Sequence, residues 1–113
     1  EIWLKDSDSL NIANYRLVTH NRSTTGGGSA IACRSDINFT LINIEALNHI
    51  CTKYHIDCCV IRFISNNTLI MLASLYNPPN NNLSTVGSNI SAWEDIFHCF
   101  DNFDNVIITE DFN

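Results

Sequence analysis

The chain has 113 residues, the length of one domain or part of one, and its 45% hydrophobic content supports a packed core. No run is apolar for the length of a membrane span, and the opening residues, with Glu1, Lys5, Asp6 and Asp8, are unlike a secretory leader. The net charge of -6 is unevenly placed: residues 1–62 hold six basic and six acidic residues, whereas residues 63–113 hold six acidic ones and no Lys or Arg.

In chain order, residues 14–19 mix β-formers with polar residues and predict a strand. A turn-rich stretch from Asn21 through Gly26-Gly27-Gly28 follows, and residues 29–34 read as the hairpin partner. Residues 39–44 predict another strand, and Ile44, Leu47, Ile50, Cys51 and Tyr54 recur at helical spacing. Two β-rich runs, 56–64 and 68–76, are separated by Ser65-Asn66-Asn67, which predicts an antiparallel hairpin. Pro78-Pro79 ends the second run, because consecutive prolines cannot donate to a ladder. Residues 80–89 read as polar loop. Ser91 and Glu94 form a capping box before a stripe of Trp93, Ile96, Phe97 and Phe100, predicting a helix over 92–100. A final strand is expected over 106–109.

The five cysteines (Cys33, Cys51, Cys58, Cys59, Cys99) are odd in number and include no Cys-x-x-Cys pair. A zinc site and a complete disulfide framework are therefore not expected; buried thiols in a reducing compartment are. The four histidines show no metal-binding spacing, and none presents itself as a general base. Five Asn-x-Ser/Thr triplets follow from a composition rich in Asn, Ser and Thr, and with no leader they do not argue for secretion. Gly26-Gly27-Gly28 is not a phosphate-binding P-loop, since no Lys-Ser/Thr follows and the next run reads as strand.

Three segments carry chemistry together: Glu1-Ile2-Trp3-Leu4, Tyr76-Asn77-Pro78-Pro79, and Glu110-Asp111-Phe112-Asn113 after the last β-run. Asp111 and Asn113 are two residues apart, so an extended chain puts them on one face at a strand end. Such a pair suits a metal-bound water and a phosphate. Phosphodiester hydrolysis needs charge neutralised on phosphate, a water aligned and the leaving oxygen stabilised, and Mg²⁺ held by one or two carboxylates does much of this.

In order and spacing, these segments resemble the endonuclease/exonuclease/phosphatase superfamily, more narrowly the apurinic-type endonuclease domain of non-LTR retrotransposons. Arg22 and the triple glycine ahead of Ser29-Ala30-Ile31 are similar to that branch as well. The resemblance implies an α/β (α+β) fold, a piece of a four-layer αββα sandwich with mostly antiparallel strands. It implies that residues 1–113 are a partial domain truncated at both ends. Glu1 and Asp111 would be metal ligands for Mg²⁺ (or Mn²⁺), and Asp111, Asn113 and Tyr76 catalytic. Ile2 and Glu110 depart from the family's threonine and glycine. The expected function is nicking of target DNA by part of a Mg²⁺-dependent endonuclease, with a reverse-transcriptase domain downstream in the parent polyprotein. With no basic patch, DNA binding by this piece alone is expected to be weak, and the isolated piece inactive. The expected setting is intracellular, nuclear or cytoplasmic, with no membrane partner. Two alternatives stand beside this: a phosphoesterase of the same fold acting on a small or lipid phosphate, and a catalytically dead, degenerate copy.

Overall fold

A computed structural model describes residues 10–21, 28–78 and 86–110. It is mixed α and β: β1 (Tyr15–Asn21), β2 (Gly28–Arg34), β3 (Phe39–Leu41), α1 (Glu45–Tyr54), β4 (Asp57–Ser65), β5 (Thr68–Tyr76), α2 (Val86–His98) and β6 (Val106–Glu110). β1 and β2 make a two-stranded antiparallel ribbon, and the other strands make a four-stranded sheet in the order β3-β4-β5-β6. Three of the four pairings are antiparallel, and β5 with β6 is parallel. A parallel neighbour requires a crossover, and α2 supplies it.

The β4–β5 hairpin is the longest pairing, running from Asp57↔Tyr76 to Ser65↔Thr68. Its two-residue turn has positive φ at both Asn66 (49°) and Asn67 (60°). This is the backbone of a type I′ turn, whose twist matches that of the strands, and asparagine tolerates it better than most residues. The other predicted hairpin, β1–β2, is also present.

Side-chain alternation along β4 and β5 divides the interior in two. Val60, Met71, Ala73 and Leu75 pack toward the helices with Leu47, Cys51, Ala92, Ile96 and Phe100. Cys59 and Ile61 face the ribbon, meeting Val18, Ile31 and Cys33, with Leu72 and Phe63 at the margin. The described residues thus form three layers: helices, four-stranded sheet and ribbon.

Element boundaries differ from expectation by three residues or more in two places. β3 stops at Leu41, although the β-like run continues to Ile44. Ile42 still donates to the Val60 carbonyl at 3.0 Å, after which the chain leaves the sheet edge to enter α1. α2 begins at Val86, so residues 86–89 are helix rather than loop and Ser91 lies inside it. The apolar spacing Val86, Ile90, Trp93, Ile96/Phe97 continues the helical period one turn earlier than the capping box suggests. Gly87, Ser88 and Asn89 are poor helix formers, and tertiary context overrides such preferences. α1 ends where His55 takes a left-handed conformation (φ 56°), its N–H reaching the carbonyls of Cys51 and Thr52. After α2, Cys99 donates to Ile96 and Phe100 to Phe97, tightening the exit. There Asp101 lies 2.7 Å from His98 Nδ1, a hydrogen bond that raises the imidazole pKa.

The sheet's ribbon-side face is incompletely covered. Leu41, opposite Ile61, is 64% exposed, and Ile107, opposite Leu72, is 49% exposed. Both sit on edge strands, where an apolar face beside an open backbone ladder invites association. The chain is expected to self-associate in sedimentation velocity, and Leu41→Lys combined with Ile107→Lys should raise the monomer fraction. A wild-type chain that stays monodisperse as concentration rises would contradict this.

Core packing makes a second, sharper expectation. Ile96 is fully buried between α2 and the sheet, whereas Ile64 is 69% exposed. Ile96→Ala should cost about 2–5 kcal/mol in urea unfolding, through lost transfer energy and a residual cavity. Ile64→Ala should change stability by no more than about 0.5 kcal/mol.

Candidate functional site

β4 begins, and β5 and β6 end, at one end of the four-stranded sheet. Tyr76 closes β5 opposite Asp57, the first residue of β4, and both are buried, at 5% and 7% exposure. From the ribbon, His20 reaches the same end: its Nδ1 lies 3.4 Å from Asp57 Oδ1. His20 pairs in register with Ser29, which is 2% exposed. Asn77, half-buried, continues from Tyr76 toward the prolines.

Glu110 ends β6 opposite Leu75, on the same side as Val106 and Ile108. Those two pack on the helix-side core, so Glu110 faces the helix layer, and both its carboxylate oxygens are shielded from solvent. Tyr76 and Asp57 stand on the opposite, ribbon-side face, since they alternate with Leu75 and Cys58. The carboxylate that replaces the expected glycine therefore points away from the Tyr76 side of the sheet.

Of the residues expected to carry chemistry, Tyr76 is described; Glu1, Asp111 and Asn113 lie outside the described residues. Gly26 and Gly27 do too, while Gly28 opens β2. Among the described residues, no group of three His, Cys, Asp or Glu side chains could hold a metal ion. The described carboxylate on the Tyr76 side is Asp57, already beside His20.

The His20–Asp57 pair was not foreseen. The two are far apart in sequence and no motif connects them; they meet because the ribbon packs across the start of β4. Spacing within a segment carries no signal of such a contact.

The described arginines lie elsewhere. Arg34 makes a two-pronged bond with Asp36 (2.6 and 2.8 Å), lowering the carboxyl pKa and raising that of the guanidinium. Arg16 stacks 4.4 Å from the Phe39 ring centroid and donates to the Ile37 carbonyl. With Arg62 five residues along β4 from Asp57, about 17 Å at the strand rise, these cations gather toward the far end of the sheet.

No family model matches the chain, and neither curated proteins nor solved structures give a match.

The burial of Tyr76 makes its packing role measurable. Tyr76→Ala should destabilise the chain by about 3–5 kcal/mol, as for other large aromatic truncations. Tyr76→Phe, which keeps the ring, should retain most of that stability in urea unfolding. Equal stability of Tyr76→Ala and wild type would mean the ring is not part of the core.

Proposed function

We propose that this chain is part of a Mg²⁺-dependent phosphodiesterase, a retrotransposon-type DNA endonuclease that nicks target DNA to free a 3′ end for reverse transcription. In this reading the ribbon belongs to a second sheet, and the described layers are three of the four in an αββα sandwich. Glu1 and Asp111 hold the cation, with Mn²⁺ able to replace Mg²⁺. Asp111 aligns the attacking water, and Asn113 and Tyr76 contact the phosphate. A reverse-transcriptase domain of the same polyprotein would then extend the nicked strand.

The observation that carries the reading is the parallel β5–β6 pairing. β5 ends at Tyr76 and β6 at Glu110, one residue short of Asp111, on neighbouring strands that run the same way. The strands that lead into the two motifs thus end side by side at one end of the sheet. The helix-ward direction of Glu110 also supports it, because the departure from glycine adds no carboxylate on the Tyr76 side. A phosphoesterase acting on a small or lipid phosphate draws no separate support from the fold.

A plasmid-nicking assay with Mg²⁺ or Mn²⁺ tests this on three proteins. These are the chain itself, the chain extended at both ends by its natural flanks, and the extended chain with Glu110→Gly. The chain itself is expected to be inactive. The extended forms should nick, and Asp111→Ala should abolish nicking in both. If neither extended form nicks, the degenerate-copy reading replaces this one. If the unextended chain nicks and Asp111→Ala stops it, the site is complete without the flanks.

A further inference from the structure

On the helix side of the same sheet end, two cysteines come together across the α1–β4 corner. Cys51 lies in the last turn of α1 and Cys58 is the second residue of β4, with the left-handed turn at His55 reversing the chain between them. Each thiol is the largest influence on the acidity of the other. Both line an open cavity of about 350 Å³, to which His20, Asp57, His55 and Thr52 also contribute. Cys51 belongs to the helix-side core, and Cys58 is half-buried at its margin. Cys51 and Cys58 share one cavity wall, whereas the residues lining the cavity of about 400 Å³ at Cys33 include no second cysteine.

We infer that Cys51 and Cys58 form an oxidation site for small hydroperoxides, Cys51 acting as the attacking sulfur and Cys58 as its resolving partner. The hydrogen bond donated by the Cys58 thiol favours the Cys51 thiolate and lowers its pKa, and His20 adds to this; burial and nearby Asp57 oppose it. The same bond, with burial, pushes Cys58 far upward, so it keeps its proton. A thiolate, not a thiol, is the nucleophile; Cys58 can ionise in its turn once oxidation of Cys51 removes the thiolate to which its proton is bonded.

The Cys51 thiolate attacks one oxygen of hydrogen peroxide; the S–O bond forms as the O–O bond breaks. The departing hydroxide takes up the proton released when Cys51 ionised and becomes water. Cys58 sulfur then displaces the sulfenic hydroxyl, which leaves as a second water with the Cys58 proton. Two thiols are oxidised by two electrons to one disulfide, and one peroxide is reduced to two waters. A disulfide here would tie the last turn of α1 to the strand that begins at Asp57.

The chain is treated with hydrogen peroxide at low protein concentration, remaining thiols are alkylated, and tryptic peptides are mapped by mass spectrometry. Cleavage after Arg34, Lys53 and Arg62 leaves Cys51 on one peptide and Cys58 with Cys59 on the next, so a crosslink between them is read directly. The expected result is a dithiothreitol-reversible link between Cys51 and Cys58 that persists in Cys59→Ser. Alkylation of both residues should fall about tenfold while Cys33 labels as before, in line with oxidation that follows thiolate character. In Cys58→Ser, Cys51 should stop at the sulfenic acid and be trapped by a 1,3-dione. If the link runs to Cys59, or Cys51 and Cys58 label undiminished after peroxide, the inference is overturned. The wild-type map decides even if a variant fails to fold. DNA nicking does not enter the readout, so this proposal and the nuclease reading fail independently.

Discussion

The structure depends on the pairing of β4 with β5, nine residues against nine, because both faces of that hairpin are buried. Alternation sends Val60, Ala73 and Leu75 to the helices, and Cys59, Ile61 and Leu72 to the ribbon. A slip of one residue in either strand would exchange these two sets, putting the wrong volumes into both cores. Two asparagines in the left-handed region prevent it by holding the turn to two residues. Everything at the Tyr76 end inherits this register: Asp57 meets Tyr76, and Cys58 meets Leu75, which meets Glu110.

This explains how one sheet end presents two unlike chemical surfaces. The ribbon side carries Tyr76, Asp57 and His20; the helix side carries Cys51, Cys58 and Glu110. Neighbours in sequence, such as Asp57 and Cys58, sit on opposite sides of the sheet. At the strand ends the two sides meet, since Asp57, Cys58, His20 and Cys51 line one cavity.

Much of the fold was legible in the sequence where signals were local. The Asn66-Asn67 turn between two β-rich runs and the Trp93–Phe100 stripe each report a period that a single element realises. Legibility ended where packing between distant elements decides. The start of α2 was misplaced because Gly87, Ser88 and Asn89 read as loop on propensity, and β3 was overlong because a β-like run cannot show where it leaves a sheet edge. Of the candidate site, Tyr76 was placed at its strand end, but its burial and its pairing with Asp57 come from β4, and His20 comes from the ribbon. The contact of Cys51 with Cys58 depends on the left-handed turn at His55, which no spacing rule marks.

β6 joins the sheet differently from its neighbours. Its partner residues lie 35 positions away, as in Met71↔Val106, it has five residues, and its outer edge bears no strand among those described. A contact across so long a stretch requires loop-closure entropy to be spent before any ladder bond repays it. The β4–β5 hairpin closes a two-residue turn, whereas β6 pairs only across the long stretch that contains α2. The strand that leads to Asp111 is thus the one whose docking costs the most chain entropy, and with five residues it is held by a shorter ladder than the nine-residue pairing of β4 with β5.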